Sequence, residues 1–215
     1  MIRHSNFEIR ISPQNALPMN VASHHPGQLV VLVGPSGVGK STIAKRLQDE
    51  TGIRYAVSAT TRTALPGDDK GKKYEYIRTD EFFKRLDNDQ FLEYAQVHDN
   101  NYYGTPKHPT LDDLGAGRDV LLDIDVQGAL QVRYQYPDAL LIFIMPPDEP
   151  TLLDRLTKRA RDSVDSINRR FRLAKREIHM AKGSRSFDHI VINDDLDRAV
   201  AEIRRTIENK KTGAL

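Results

Sequence analysis

GPSGVGKST, Gly34 to Thr42, satisfies the spacing G-x-x-x-x-G-K-[ST] in a context that gives it a mechanism. The apolar run LVVLV, Leu29 to Val33, ends just before it, and a helical period with Ile43, Ala44 and Leu47 on one face begins at Lys40. Glycines let backbone N–H groups turn inward around phosphate oxygens. Lys40 supplies a point charge to the β- and γ-phosphates, and Ser41 offers a hydroxyl to Mg²⁺ at a helix N-terminus. Gly34, Pro35, Ser36, Gly37, Val38, Gly39, Lys40, Ser41 and Thr42 therefore form the candidate site for a nucleoside triphosphate.

Strand-length apolar runs recur at Val120 to Ile124, Leu140 to Met145 and His189 to Ile192. Such runs suit parallel strands buried on both faces. Leu196, Ala199, Val200, Ile203 and Ile207 make a helical stripe opened by Asp194 or Asp195. Strands alternating with helices predict an α/β fold with a parallel sheet flanked by helices. Arg54 to Gln96 breaks the pattern. Its short aromatic-rich segments, Tyr55 to Ala59, Lys73 to Ile77 and Phe91 to Gln96, are too closely spaced for βαβ units and predict a small, mostly β insertion.

Composition narrows the function classes. The chain has 215 residues, enough for one α/β domain with excursions, and a net charge of +2, too small to imply nucleic acid. It has no cysteine, which excludes disulfides and thiolate chemistry and suits a cytoplasmic setting. No apolar run approaches the roughly 18 to 20 residues of a membrane span. Residues 1–27, with Pro13, Pro18 and Pro26 and no sustained period, are expected to be a flexible extension.

VLLDID, Val120 to Asp125, is the natural second half of a triphosphate site, since a buried strand can deliver an acid beside Mg²⁺. Asp123 and Asp125 share one side of such a strand at period 2, and either could instead cap a following helix.

In chain order, GPSGVGKS, SATTR (Ser58 to Arg62), GKKYEY (Gly71 to Tyr76), FLEYAQV (Phe91 to Val97), NYYGT (Asn101 to Thr105), LDIDVQG (Leu122 to Gly128) and VINDDLD (Val191 to Asp197) together resemble the guanylate kinases. The resemblance spans about Gln28 to Glu208. It implies ATP and Mg²⁺, transfer of the γ-phosphoryl group to GMP, and a P-loop kinase core over 28–53, 106–145 and 183–210. It further implies a GMP-binding insertion over 54–105 and a helical lid over 146–182.

Carried over residue by residue, Glu93 would read guanine, whose adjacent N1–H and N2–H₂ donors match one carboxylate, with Ser58 and Thr105 around the base. Arg62, Tyr74 and Tyr103 would hold the GMP phosphate. Asp123 would stand beside the substrate phosphates and, with Ser41, hold the metal directly or through water. Lys40, Arg62, Arg159 and Arg170 would be the catalytic cations, with Arg155 nearby. Read without the resemblance, Glu93 is an outward strand residue, the tyrosines are sheet packing, and the basic run Arg155 to Arg176 is a solvated face. The chain departs from the family's usual pattern at Leu65, where a second phosphate-binding arginine is common; either Lys70, Lys72 or Lys73 partly substitutes, or GMP binds less tightly than in relatives.

The partners implied are small molecules, with no nucleic acid and no membrane; nothing in the sequence decides for or against a homodimer. Two rivals stand beside the kinase: a guanylate-kinase-like scaffold module that binds proteins, and a related kinase acting on ribose 1,5-bisphosphate.

Overall fold

The computed structural model describes residues 26–65, 68, 73–97, 101–158, 164–183 and 186–214. The chain runs β1 (Leu29–Val33), α1 (Lys40–Thr51), β2 (Arg54–Tyr55), β3 (Ser58–Thr60), β4 (Tyr74–Tyr76), α2 (Thr79–Asp87), β5 (Phe91–Val97) and β6 (Asn101–Pro106). It continues with α3 (Lys107–Gly115), β7 (Val120–Asp123), α4 (Val126–Gln135), β8 (Leu140–Met145), α5 (Glu149–Thr157), α6 (Val164–Gly183), β9 (His189–Ile192) and α7 (Leu196–Thr212).

Two sheets form. The first is parallel, in the order β2-β7-β1-β8-β9. Its central strand explains the unbroken apolar run. Val30 and Leu32 pack against Ile43 and Leu47 of α1 and Ile203 of α7, while Leu29, Val31 and Val33 pack against Ala129 and Val132 of α4 on the other face. With both faces covered, no position of β1 is left for a polar residue. Each such side chain contributes about 1.5–3 kcal/mol on burial.

The second sheet has the order β4-β3-β6-β5, with β3 and β4 parallel and the other pairs antiparallel. Its small core is Ala59, Phe82 and Phe91, the two rings stacked with centroids 4.6 Å apart. Two features differ from the insertion expected over 54–105. Arg54 and Tyr55 pair with Val120 and Leu121 in the first sheet, because Tyr55 packs on the core of that sheet. Within the segment expected to be mostly β lies a helix, α2, with Asp80 and Glu81 in its first turn and Phe82 and Leu86 turned to the small core.

The second sheet is docked through α4. Gln131 donates to the Tyr94 carbonyl at 2.7 Å and accepts from the Tyr94 amide at 3.2 Å, while Gln135 donates to the Leu92 carbonyl at 3.2 Å. Helix α4 thus fixes the backbone on both sides of Glu93. Among the described residues no helix is long and apolar enough to cross a membrane.

Candidate functional site

Three glycines of the Gly34–Gly39 loop have positive φ, at 146° (Gly34), 87° (Gly37) and 101° (Gly39). A Cβ on Gly34 would stand 2.5 Å from the Ile144 carbonyl oxygen, so β8 leaves no room for a side chain there. The loop is further tied down from behind. Asn193 donates from Nδ2 to the Val38 carbonyl at 2.8 Å, and Arg155 donates to the carbonyls of Val38 (3.3 Å) and Asn193 (2.9 Å). Asn193 is buried, and this role was invisible in VINDDLD, since it depends on β9 ending beside the loop.

Lys40, the first residue of α1, folds over the loop and donates to the carbonyls of Gly34 (2.5 Å) and Pro35 (3.3 Å), with Asp123 at 4.0 Å. Burial pushes its ammonium below the ordinary lysine value, and Asp123 opposes that. Ser41 donates to Asp123 Oδ2 at 2.8 Å. Burial would raise the Asp123 carboxyl, yet Lys73, Lys40 and Ser41 outweigh it and hold it below the usual aspartate range.

Asp125 corrects the expectation that it shares the strand with Asp123. Strand β7 ends at Asp123, and Asp125 caps α4 by accepting from the Gly128 amide at 2.9 Å. The carboxylate that ends the strand beside Ser41 is Asp123.

Across the cavity stands Glu93, 3% exposed on β5. Its Oε1 accepts from both the amide (3.0 Å) and the hydroxyl (2.6 Å) of Thr105 on β6. Burial pushes its carboxyl up to about 7, against the pull of those two bonds. Gly128, at the first turn of α4, lies against the same carboxylate. Ser58 is buried beside Tyr74, and the rings of Tyr74 and Tyr103 meet edge to face at 5.7 Å.

One cavity of about 220 Å³ joins these groups. Gly34–Gly37, Gly39, Lys40, Ser41 and Asp123 line the loop side, Ser58, Tyr74, Glu93 and Tyr103 line the side of the second sheet, and Lys73 reaches from the second sheet to Ser41 and Asp123. Glu177 of α6 also lines it. Burial pushes that carboxyl up to about 7, and Lys40 acts against the shift.

The remaining expected residues are placed elsewhere. Arg62 lies in an adjoining groove, donating to Asp68 at 2.9 Å and to the Tyr76 hydroxyl at 3.0 Å, with its guanidinium carbon 5.6 Å from the Tyr74 ring centre. Arg170 is half-buried on α6 and does not line the cavity. Arg159, Lys70 and Lys72 lie outside the described residues. Leu65 is 46% exposed, its amide donating to Asp68 at 2.7 Å.

The model of the guanylate kinase family matches residues 26–210. The chain belongs to that family. A guanylate kinase of Caldanaerobacter subterraneus subsp. tengcongensis is 43% identical over 186 residues, covering 86% of this chain and 88% of its own. One of Latilactobacillus sakei subsp. sakei is 45% identical, covering 86% of this chain and 90% of its own. Among solved structures, the guanylate kinase of Anaplasma phagocytophilum matches with a TM-score of 0.72 at 29% identity, over 86% of this chain and 87% of that one. The P-loop kinase fold, which the resemblance implied, is that of the family.

Proposed function

We propose that this family member transfers the γ-phosphoryl group of ATP to GMP by bringing the two nucleotides to opposite walls of one cavity. The observation that carries the assignment of walls is that the phosphate loop with Lys40 and the buried carboxylate of Glu93 line the same space. The donor phosphates would lie in the loop, where backbone N–H groups and Lys40 neutralise their charge. Lys40 is already fixed on the loop carbonyls, so it needs little reordering to meet the phosphates.

On the acceptor wall, Glu93 would accept from guanine N1–H and N2–H₂. Thr105 holds the carboxylate through Oε1. Adenine lacks that donor pair. Tyr74 and Tyr103, with Arg62 behind Tyr74, would hold the GMP phosphate, and Ser58 lies within reach of the base. Such charge-assisted bonds contribute about 1.5–3 kcal/mol each. Arg170, and Arg159 in the segment before α6, are the cations that closure would bring to the transferring group. Closure excludes water and suppresses ATP hydrolysis.

The donor set suits Mg²⁺. Ser41 Oγ and Asp123 Oδ2 are hard oxygens 2.8 Å apart, the spacing of neighbouring ligands on an octahedral ion with bonds of about 2.0–2.1 Å. Mg²⁺ commonly takes one or two protein ligands and completes its shell with waters and phosphates, and among the described residues no larger acidic cluster competes for it. When bound, it would neutralise charge on the phosphates in transfer.

Neither rival is favoured. A scaffold module has no use for a phosphate loop with Lys40 and Asp123 in place, and a sugar-phosphate kinase has no use for the Glu93–Thr105 pair. The test is ADP release with ATP and, in turn, GMP, dGMP, AMP, UMP and ribose 1,5-bisphosphate. Turnover should require GMP or dGMP; a chain that ignores GMP sinks the reading.

A further inference from the structure

Lys73 immediately precedes β4 of the second sheet, yet its side chain ends in the phosphate-loop site. Its Nζ donates to Ser41 Oγ and stands 3.2 Å from Asp123 Oδ2. These are the two oxygens assigned to the metal. An ammonium in contact with both cannot share them with a divalent ion at bonding distance.

The acceptor wall is short of positive charge. Arg62 is ion-paired with Asp68 at 2.9 Å, so part of the charge it would bring to a phosphate dianion is already offset. Among the described residues lining the cavity, the Lys and Arg cations are Lys40 and Lys73, and Lys40 is committed to the loop carbonyls. Lys73 Nζ also lies 5.3 Å from the centre of the Tyr74 ring, the ring over which Arg62 stands at 5.6 Å. A single flexible cation thus stands between the metal oxygens and the tyrosine assigned to the acceptor phosphate.

We propose that Lys73 has two stations. Without metal it neutralises Asp123; once Mg²⁺·nucleotide takes Ser41 and Asp123, repulsion from the ion and Lys40 drives it to the phosphate of GMP beside Tyr74. This rests on the assignment of the two walls above. It makes Lys73 a substrate-binding cation, and it couples the sites: metal–nucleotide at the loop prepares the acceptor phosphate site, and by linkage GMP favours metal–nucleotide.

The test is calorimetric titration of GMP into the full chain, alone and saturated with Mg²⁺·ADP, for wild type, Lys73→Met, Lys73→Gln and Lys73→Arg, each checked for folding by thermal melting. Wild type should bind GMP about tenfold more tightly with Mg²⁺·ADP present, the scale of one charge-assisted contact. Both neutral variants should lose that gain, and Lys73→Arg should keep at least part of it. A neutral variant that folds and retains the full gain, or that weakens GMP equally in both states, overturns the two stations while leaving the kinase reading intact. A wild type that binds no GMP in either state overturns the wall assignment itself.

Discussion

A Cβ on Gly128 would stand 2.3 Å from Oε2 of Glu93, so the first turn of α4 and the carboxylate of β5 fit together only while residue 128 has no side chain. Gly128→Ala must push the carboxylate off the Thr105 bonds or move α4. The expected outcome is a KM for GMP raised by about tenfold or more, with ATP affinity unchanged. Steady-state kinetics with each substrate varied in turn decides it; equal effects on both substrates would place the damage in the fold instead of the base site.

Gln131 holds β5 by bonding both backbone groups of Tyr94. Gln131→Ala removes both of these bonds and should cost about 1–3 kcal/mol of stability. The acceptor wall should loosen with it. Hydrogen exchange should speed up in Phe91–Val97 and stay slow in Leu29–Val33; uniform acceleration would show that the two sheets open as one unit.

Asn193 plays the matching part for the donor wall, through its bond to the Val38 carbonyl. Asn193→Ala should weaken ATP binding several-fold while sparing GMP, with a stability loss of about 1–3 kcal/mol. Calorimetry with each nucleotide separates this from general unfolding. Unchanged ATP affinity would mean that Arg155 alone positions the loop.

Glu177 gives a pH signature. Burial pushes its carboxyl from 4.5 up to about 7, so between those values the folded chain holds a proton that the unfolded chain has lost. Its contribution is fully present below the unfolded value and is lost as pH rises through the folded one. Glu177→Gln should therefore gain melting temperature relative to wild type as pH rises across that window; a gap independent of pH contradicts the assigned burial cost.

Much of the donor wall was legible because its signals are local. Leu29–Val33 is apolar because both faces of the sheet are covered, and glycines at positive φ belong to the loop itself. The proposed acceptor wall shows in the sequence only as an ordered set of motifs, since Glu93 and Tyr74 taken alone read as strand residues. What stayed hidden depends on contacts distant in sequence. Gly128 matters through β5 and Gln131 through the Tyr94 backbone, while Lys73, one of three lysines expected near the GMP phosphate, is singled out only by its contact with Ser41. Two residues, Arg54 and Tyr55, are too few to carry a strand period, so their place in the first sheet follows from pairing alone.

Discrimination between GMP and AMP rests, in the proposed function, on Glu93 reading guanine from the wall opposite Lys40. The deciding measurement is the ratio of kcat/KM for GMP to that for AMP, in wild type and Glu93→Ala, with the Kd for ATP measured alongside. Wild type should prefer GMP by about 10⁴, the discrimination a hydrogen-bonding site can reach. The variant should lose most of that preference at unchanged ATP affinity. An unchanged ratio would remove Glu93 from the base site.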